Sequence, residues 1–131
     1  MAAGRSPRAV VTSDNPAARG WQDLVRGQAQ TLYEPPFAGP VVVAVEFRLS
    51  RPKSLPRRVV HCVRKPDIDK LARNVLDGLT GVLFLDDAAV VDLRARKVYA
   101  APDEGPGATI TVVDATPPDP DPRLTYDEGF A

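Results

Sequence analysis

Two groups of aspartates lie close together in this chain. Asp67 and Asp69 sit in the run Lys65-Pro66-Asp67-Ile68-Asp69, and Asp86 and Asp87 follow within about twenty residues. Carboxylate oxygens grouped this way are the hard ligands that Mg2+ or Mn2+ prefers. Each residue also has a plainer role available. An Asp that opens a helix caps it and adds about 1 kcal/mol, and an Asp-Asp pair between apolar runs makes a turn. Spacing alone leaves both readings open.

The elements that must position these acids can be read from local pattern. Pro66 disfavours a helical residue before it, so Lys65 is expected to be extended. If Asp67–Asp69 is extended as well, the two carboxylates share one face. From Ile68 the period changes: Ile68, Leu71, Ala72, Val75, Leu76 and Leu79 form one apolar stripe at helical spacing. Asp69 falls at its edge, with Arg73 and Asp77 following at i+4 steps on the flank. Gly78 and Gly81 suit the helix end, and Val82-Leu83-Phe84-Leu85 leads to Asp86-Asp87.

The run KPDIDKLARNVLDGLTGVLFLDDAAVVDLRARKVYA resembles the signature of the RusA family of Holliday junction resolvases. A basic residue, Pro, Asp-x-Asp, an amphipathic helix near Asp-Gly-Leu, an acidic pair and a strand occur in that order. The shorter run VVTSDNPAARGWQDLV resembles the family's first helix and its approach. The resemblance implies a small Mg2+-dependent endonuclease of phage or prophage type, with Mn2+ as a possible substitute. It implies Asp67, Asp69 and Asp87 as metal ligands and catalytic residues, holding one or two ions per subunit, with Asp86 either auxiliary or a turn residue. The family carries a catalytically important lysine four residues after the second Asp, and here that position is Arg73. Arginine keeps the charge and can clamp a phosphate, but it is a poor proton donor. The alternative for Arg73 is a surface ladder with Asp69 and Asp77. A second departure is at the start: family members usually have an extra strand and loop before the segment matching Val10-Val11. The expectation is that the start is misplaced or that the sheet lacks an edge.

Composition is consistent with a nucleic-acid partner. Residues 1–100 hold 16 Lys/Arg against 10 Asp/Glu, whereas residues 101–131 hold one against seven, so the net charge of zero hides a basic body and an acidic tail. Nine Lys/Arg fall between residues 48 and 73, and Arg48, Arg51, Lys53 and Arg64 belong to this set. The cations expected to contact DNA phosphates are Arg57, Arg58, Lys65, Lys70, Arg94, Arg96 and Lys97, which would make affinity salt-dependent. With one cysteine, Cys62, no internal disulfide can form, and packing is its expected role. Nothing approaches a transmembrane span and the N-terminus has no apolar signal region, so no membrane partner and a cytoplasmic location are expected.

In chain order, Ser13-Asp14-Asn15-Pro16 is a helix start signal, followed by a helix over roughly residues 16–32 with Trp21 as a core anchor. Strands are expected at Val10-Val11, Val41–Arg48, Val59–Lys65, Ala89–Tyr99 and Ala108–Val113. His61, on the same strand face as Lys65 and Asp67, is expected to be ordinary polar packing. The fold class is α+β: a mixed or antiparallel sheet of about four strands with two helices, RusA-like. Residues 1–115 form one domain; 116–131, rich in Pro and Asp, form an acidic tail expected to be disordered, and residues 1–9, small, polar and basic, are expected to be frayed.

The expected activity is a homodimeric, structure-selective endonuclease that makes paired, symmetric nicks across a four-way DNA junction in recombination or repair. Alternatives are a nuclease of the same fold acting on other branched or flap DNA, and a catalytically impaired junction-binding protein.

Overall fold

The computed structural model describes residues 7–115, so the expected acidic tail lies outside the described residues. Its elements run β1 (Arg8–Thr12), α1 (Trp21–Gln30), β2 (Val41–Leu49), α2 (Ile68–Leu79), a 3₁₀ turn (Asp87–Ala89), β3 (Val90–Tyr99) and β4 (Gly107–Asp114). The strands form one mixed sheet in the order β1-β4-β2-β3, so the α+β expectation with four strands and two helices holds. β4 pairs antiparallel with both β1 and β2, and β2 pairs parallel with β3. A parallel pair needs a long crossover, and the segment carrying α2 provides it.

Strict alternation makes β2 a strand with one inward face. Val41, Val43, Val45, Phe47 and Leu49 are buried, and the residues between them are half-buried. Its partners across the register continue the buried face into Ala108, Ile110 and Val112 of β4. Trp21, Val25 and Ala29 of α1 and Leu71, Val75 and Leu79 of α2 close the same core. Trp21 is the anchor expected of it: it is buried, packs 5.9 Å from the Phe47 ring and donates its indole N–H to Thr12 Oγ1. The other sheet face lines a groove of about 440 Å³ with Ala44, Glu46, Arg94, Arg96, Thr109 and Thr111.

Three local expectations are corrected. The helix expected over 16–32 is only Trp21–Gln30. The capping chemistry before it builds a turn instead: Asn15 Oδ1 accepts from Ala17 N–H, Asn15 O accepts from Ala18 N–H, and Gly20 then adopts the left-handed conformation. At the start, residues 1–6 lie outside the described residues, while Arg8 and Ala9, expected to be frayed, belong to β1 and pair with β4. Val59–Lys65 is not a strand. It skirts the free edge of β3, with Tyr99 N–H bonded to Val60 O, Cys62 N–H bonded to Lys97 O and one bridge between His61 and Val98. With Val60 and Val63 exposed, the segment has no alternating inward face to bury as a strand. It covers the sheet edge without extending it.

α2 ends between the two glycines expected to mark its end: Gly78 lies in its last turn, and the chain turns out at Gly81 with φ 84°. Gly78 is where α1 comes closest: a Cβ there would lie 3.0 Å from Gln22 O and 3.1 Å from Val25 Cγ1. Gly27 of α1 has nothing within 4 Å of the corresponding point. The two glycines should therefore respond oppositely to alanine. Gly27→Ala gains helix propensity and should stabilise by about 0.5–1 kcal/mol. Gly78→Ala gains the same propensity but pushes against a helical backbone carbonyl and a buried valine, so overpacking should leave a net loss of about 1 kcal/mol. Denaturant unfolding of both variants checks the two signs.

Candidate functional site

α2 starts at Asp67. Its backbone is extended at φ −69° and ψ 146°, and its carbonyl accepts from Lys70 and Leu71 N–H at 3.1 Å. The carboxylate makes no capping bond, which leaves its oxygens for another partner; Lys65 Nζ stands 4.0 Å away. Asp69 is already in the first helical turn and exposed, so Asp67 and Asp69 do not share a strand face as expected. The helix begins one residue after Asp67 because the stripe from Ile68 takes over at once. One turn on, Arg73 and Asp77 stand four apart as expected, with Arg73 Nη1 donating to Asp77 Oδ1 at 3.2 Å. Asp69, Lys70, Arg73 and Asn74 line an open cleft of about 650 Å³.

Arg73 also reaches across to the acidic pair. Its Nη1 donates to Asp87 Oδ2 at 2.7 Å, joining α2 to the start of the 3₁₀ turn. The guanidinium is held above its already high ordinary value, first by the Asp87 bond and then by the one to Asp77. It is therefore a permanent cation and no source of protons at neutral pH. Asp86 takes the turn role: its Oδ1 accepts from Ala88 N–H at 2.9 Å and caps the 3₁₀ turn. The expected Asp69–Arg73 rung of a surface ladder is absent among the described contacts, and Arg73 pairs instead with Asp77 and Asp87.

The fit of a divalent cation rests on the donor set. Asp67 and Asp69 offer hard oxygens committed to no hydrogen bond, and Asp87 stands across the helix flank with its charge balanced by Arg73. The ligand types suit Mg2+ or Mn2+. Among the described residues, no three of His, Cys, Asp or Glu are gathered into a ready metal cage. The Arg73 bond falls on Asp87 Oδ2 alone, and a carboxylate has further acceptor sites on both oxygens.

The expected DNA-binding cations divide by environment. Arg57, Arg58, Lys65 and Lys70 are exposed. Arg96 is paired with Glu46 at 2.5 Å, and Arg94 with Asp92 at 3.2 Å. Lys97 does not join Arg94 and Arg96 on the grooved face. It is the register partner of Phe47, on the core-side face, and its ammonium donates to Arg64 O at 2.5 Å and Pro66 O at 2.9 Å. Arg51 is a staple, donating to Ala100, Pro56 and Val59 carbonyls. Arg48 bonds to Glu46 and Thr109. His61 is exposed and sits outside any strand. Cys62 is buried, as packing requires.

Sequence reasoning missed Arg26. Its guanidinium donates to Thr80 O at 2.9 Å and Asp77 O at 2.6 Å, satisfying carbonyls at the C-terminal end of α2. Arg8, buried over the Phe37 ring at 4.1 Å, was missed as well. The only available signal was an Arg near apolar positions, which points to no partner more than fifty residues away.

Comparison with known proteins bears on this arrangement. A family model described as endodeoxyribonuclease RusA matches residues 3–113. The protein described as uncharacterized protein YqaN of Bacillus subtilis (strain 168) is 30% identical over 74 residues, 49% of this chain and 52% of that protein. The match thus spans about half the length of that curated relative. No helix among the described residues is long and apolar enough to cross a membrane.

Glu46 on the grooved face tests the local electrostatics. The Arg96 hydrogen bond, aided by Arg48 and opposed by burial, lowers its pKa below the ordinary 4.5. A lowered carboxylate stabilises the fold above its unfolded value, and that contribution is lost as pH falls through the folded value. Glu46→Gln should therefore melt below wild type at pH 7, with the gap closing as pH drops below 4.5. Thermal unfolding across pH 3–7 checks it.

Proposed function

The chain belongs to the RusA endodeoxyribonuclease family, and from that premise we propose that it is a divalent-metal-dependent endonuclease that resolves four-way DNA junctions. The observation that carries the reading is the 2.7 Å Arg73–Asp87 contact, which brings the acidic flank of α2 and the 3₁₀ turn to one exposed place. A bound Mg2+ or Mn2+ would activate water and neutralise charge on the scissile phosphate. Asp67, Asp69 and Asp87 would hold it. Lys70 on the cleft, with Arg57, Arg58 and Lys65 nearby in sequence, would bind the DNA backbone. Arg73 is the counter-charge of Asp87 before metal arrives; afterwards its guanidinium is free to face a phosphate oxygen and stabilise developing charge. Two copies related by a two-fold axis would place two such sites on the symmetric strands of a junction, so a homodimer is part of the proposal.

A second reading, a junction binder without cleavage, is favoured by one feature. Arg73 stands where the family has lysine and already occupies Asp87. Nicking of an end-labelled four-way junction with Mg2+, beside flap and linear duplex, separates the readings. Paired nicks in the junction alone support resolution. Binding without nicks overturns it.

Two sets of variants extend the test. Asp69→Asn and Asp87→Asn should abolish cleavage while junction binding stays equal or tightens, because a carboxylate facing phosphate without metal repels it. Near-normal cleavage in both would remove the metal site. For Arg73, single-turnover cleavage should fall about 100-fold or more in Arg73→Ala and persist in Arg73→Lys. The Ala variant should melt close to wild type, since exposed pairs contribute little. A normal rate in Arg73→Ala would make the residue structural only.

A further inference from the structure

Lys97 lies in the run of cations that invites a phosphate-binding role, yet its geometry differs from that of its neighbours. Arg94 and Arg96 line the grooved face of the sheet. Lys97 is half-buried on the opposite face, and two of its ammonium protons go to the carbonyls of Arg64 and Pro66. These carbonyls belong to the short stretch that ends at Asp67, the residue that opens α2. The same stretch touches β3 through two backbone bonds, Tyr99 N–H to Val60 O and Cys62 N–H to Lys97 O. Beyond Cys62 no backbone hydrogen bond ties residues 63–66 to the sheet among the described contacts. The ammonium of Lys97 is thus the attachment between the sheet and the end of the stretch nearest the acidic site.

We propose that Lys97 is a positioning residue for the metal site: it fixes the approach of the chain into Asp67, and so where the first carboxylate stands relative to Asp69. A charge-assisted donor bonded to two carbonyls holds a segment in place better than neutral contacts do. Such outer supports change metal affinity by about 10- to 100-fold when removed. The proposal rests on the metal-ligand reading above, and its test keeps the two separable.

Lys97→Met keeps the apolar stem and removes the donors; Lys97→Arg keeps a charged fork. Three measurements follow on the intact chain. In amide hydrogen exchange, Cys62, Lys70 and Leu71, whose N–H groups bond to Lys97 O and Asp67 O, should exchange faster in the Met variant and near the wild-type rate in the Arg variant. In Mn2+ titration without DNA, followed by calorimetry, the Met variant should bind about 10-fold or more weaker and the Arg variant should recover most of the loss. In junction binding without metal, the salt slope should be unchanged, whereas loss of a phosphate contact would lower it by about 1. Unchanged exchange, unchanged Mn2+ affinity, or a lowered slope with normal Mn2+ affinity each overturns the proposal. If wild type binds no Mn2+, the metal reading falls, while the exchange data still judge the tether. Should Lys97→Met fail to fold, Lys97→Gln, with one donor group, takes its place under the same criteria.

Discussion

The apolar stripe of α2 is the constraint on which the rest of the molecule depends. Leu71, Val75 and Leu79 are almost completely buried, and burying side chains of this size is worth about 1.5–3 kcal/mol each. That burial fixes the rotation of the helix about its axis. Once the stripe faces the sheet, Asp69 and Arg73 must face outward, and the Arg73 side chain meets Asp87. The exposed ion pair does not hold the fold together, because solvent screens it. It reports where the core has placed the two acidic segments. The close approach of α1 at Gly78, and the capping of α2 by Arg26, fix the helix at its other end.

The cations of this chain do four separate jobs, although they look alike in one dimension. Arg26 and Arg51 satisfy backbone carbonyls that helix and loop ends leave open. Arg96 and Arg48 balance Glu46 on the grooved face. Arg73 balances Asp87. Arg57, Arg58, Lys65 and Lys70 stand exposed and are the residues the proposed function gives to the polyanion. Counting basic residues therefore overstates the number of donors left uncommitted, since several bond within the fold.

How much could be read from sequence follows the range of the interactions. β2, β3 and β4 were legible because alternation is a local signal, strict in β2 and broken only in places in the others, and α2 because its stripe spans three turns. The two acidic groups stood out in the sequence through resemblance. The capping signal before α1 misled because Asn15 can bond its neighbours two and three residues on without starting a helix. Val59–Lys65 misled because β propensity describes a half-buried surface, and this segment lies along an edge with two valines in solvent. The contacts of the Lys97 ammonium with Arg64 and Pro66 were not legible, because alternation places Lys97 on a face but cannot show what its ammonium meets. Arg26 and Asp87's pairing with Arg73 lie across the fold and leave no local trace.

The central claim is that Asp67, Asp69 and Asp87 converge on one divalent cation while Arg73 turns away from Asp87. Anomalous diffraction from crystals grown with Mn2+ tests it most directly. The account predicts a manganese peak within coordination distance of all three carboxylates, with the Arg73 guanidinium displaced from Asp87. A manganese-free map at this site, or a peak bound elsewhere with the Arg73–Asp87 pair intact, would contradict it.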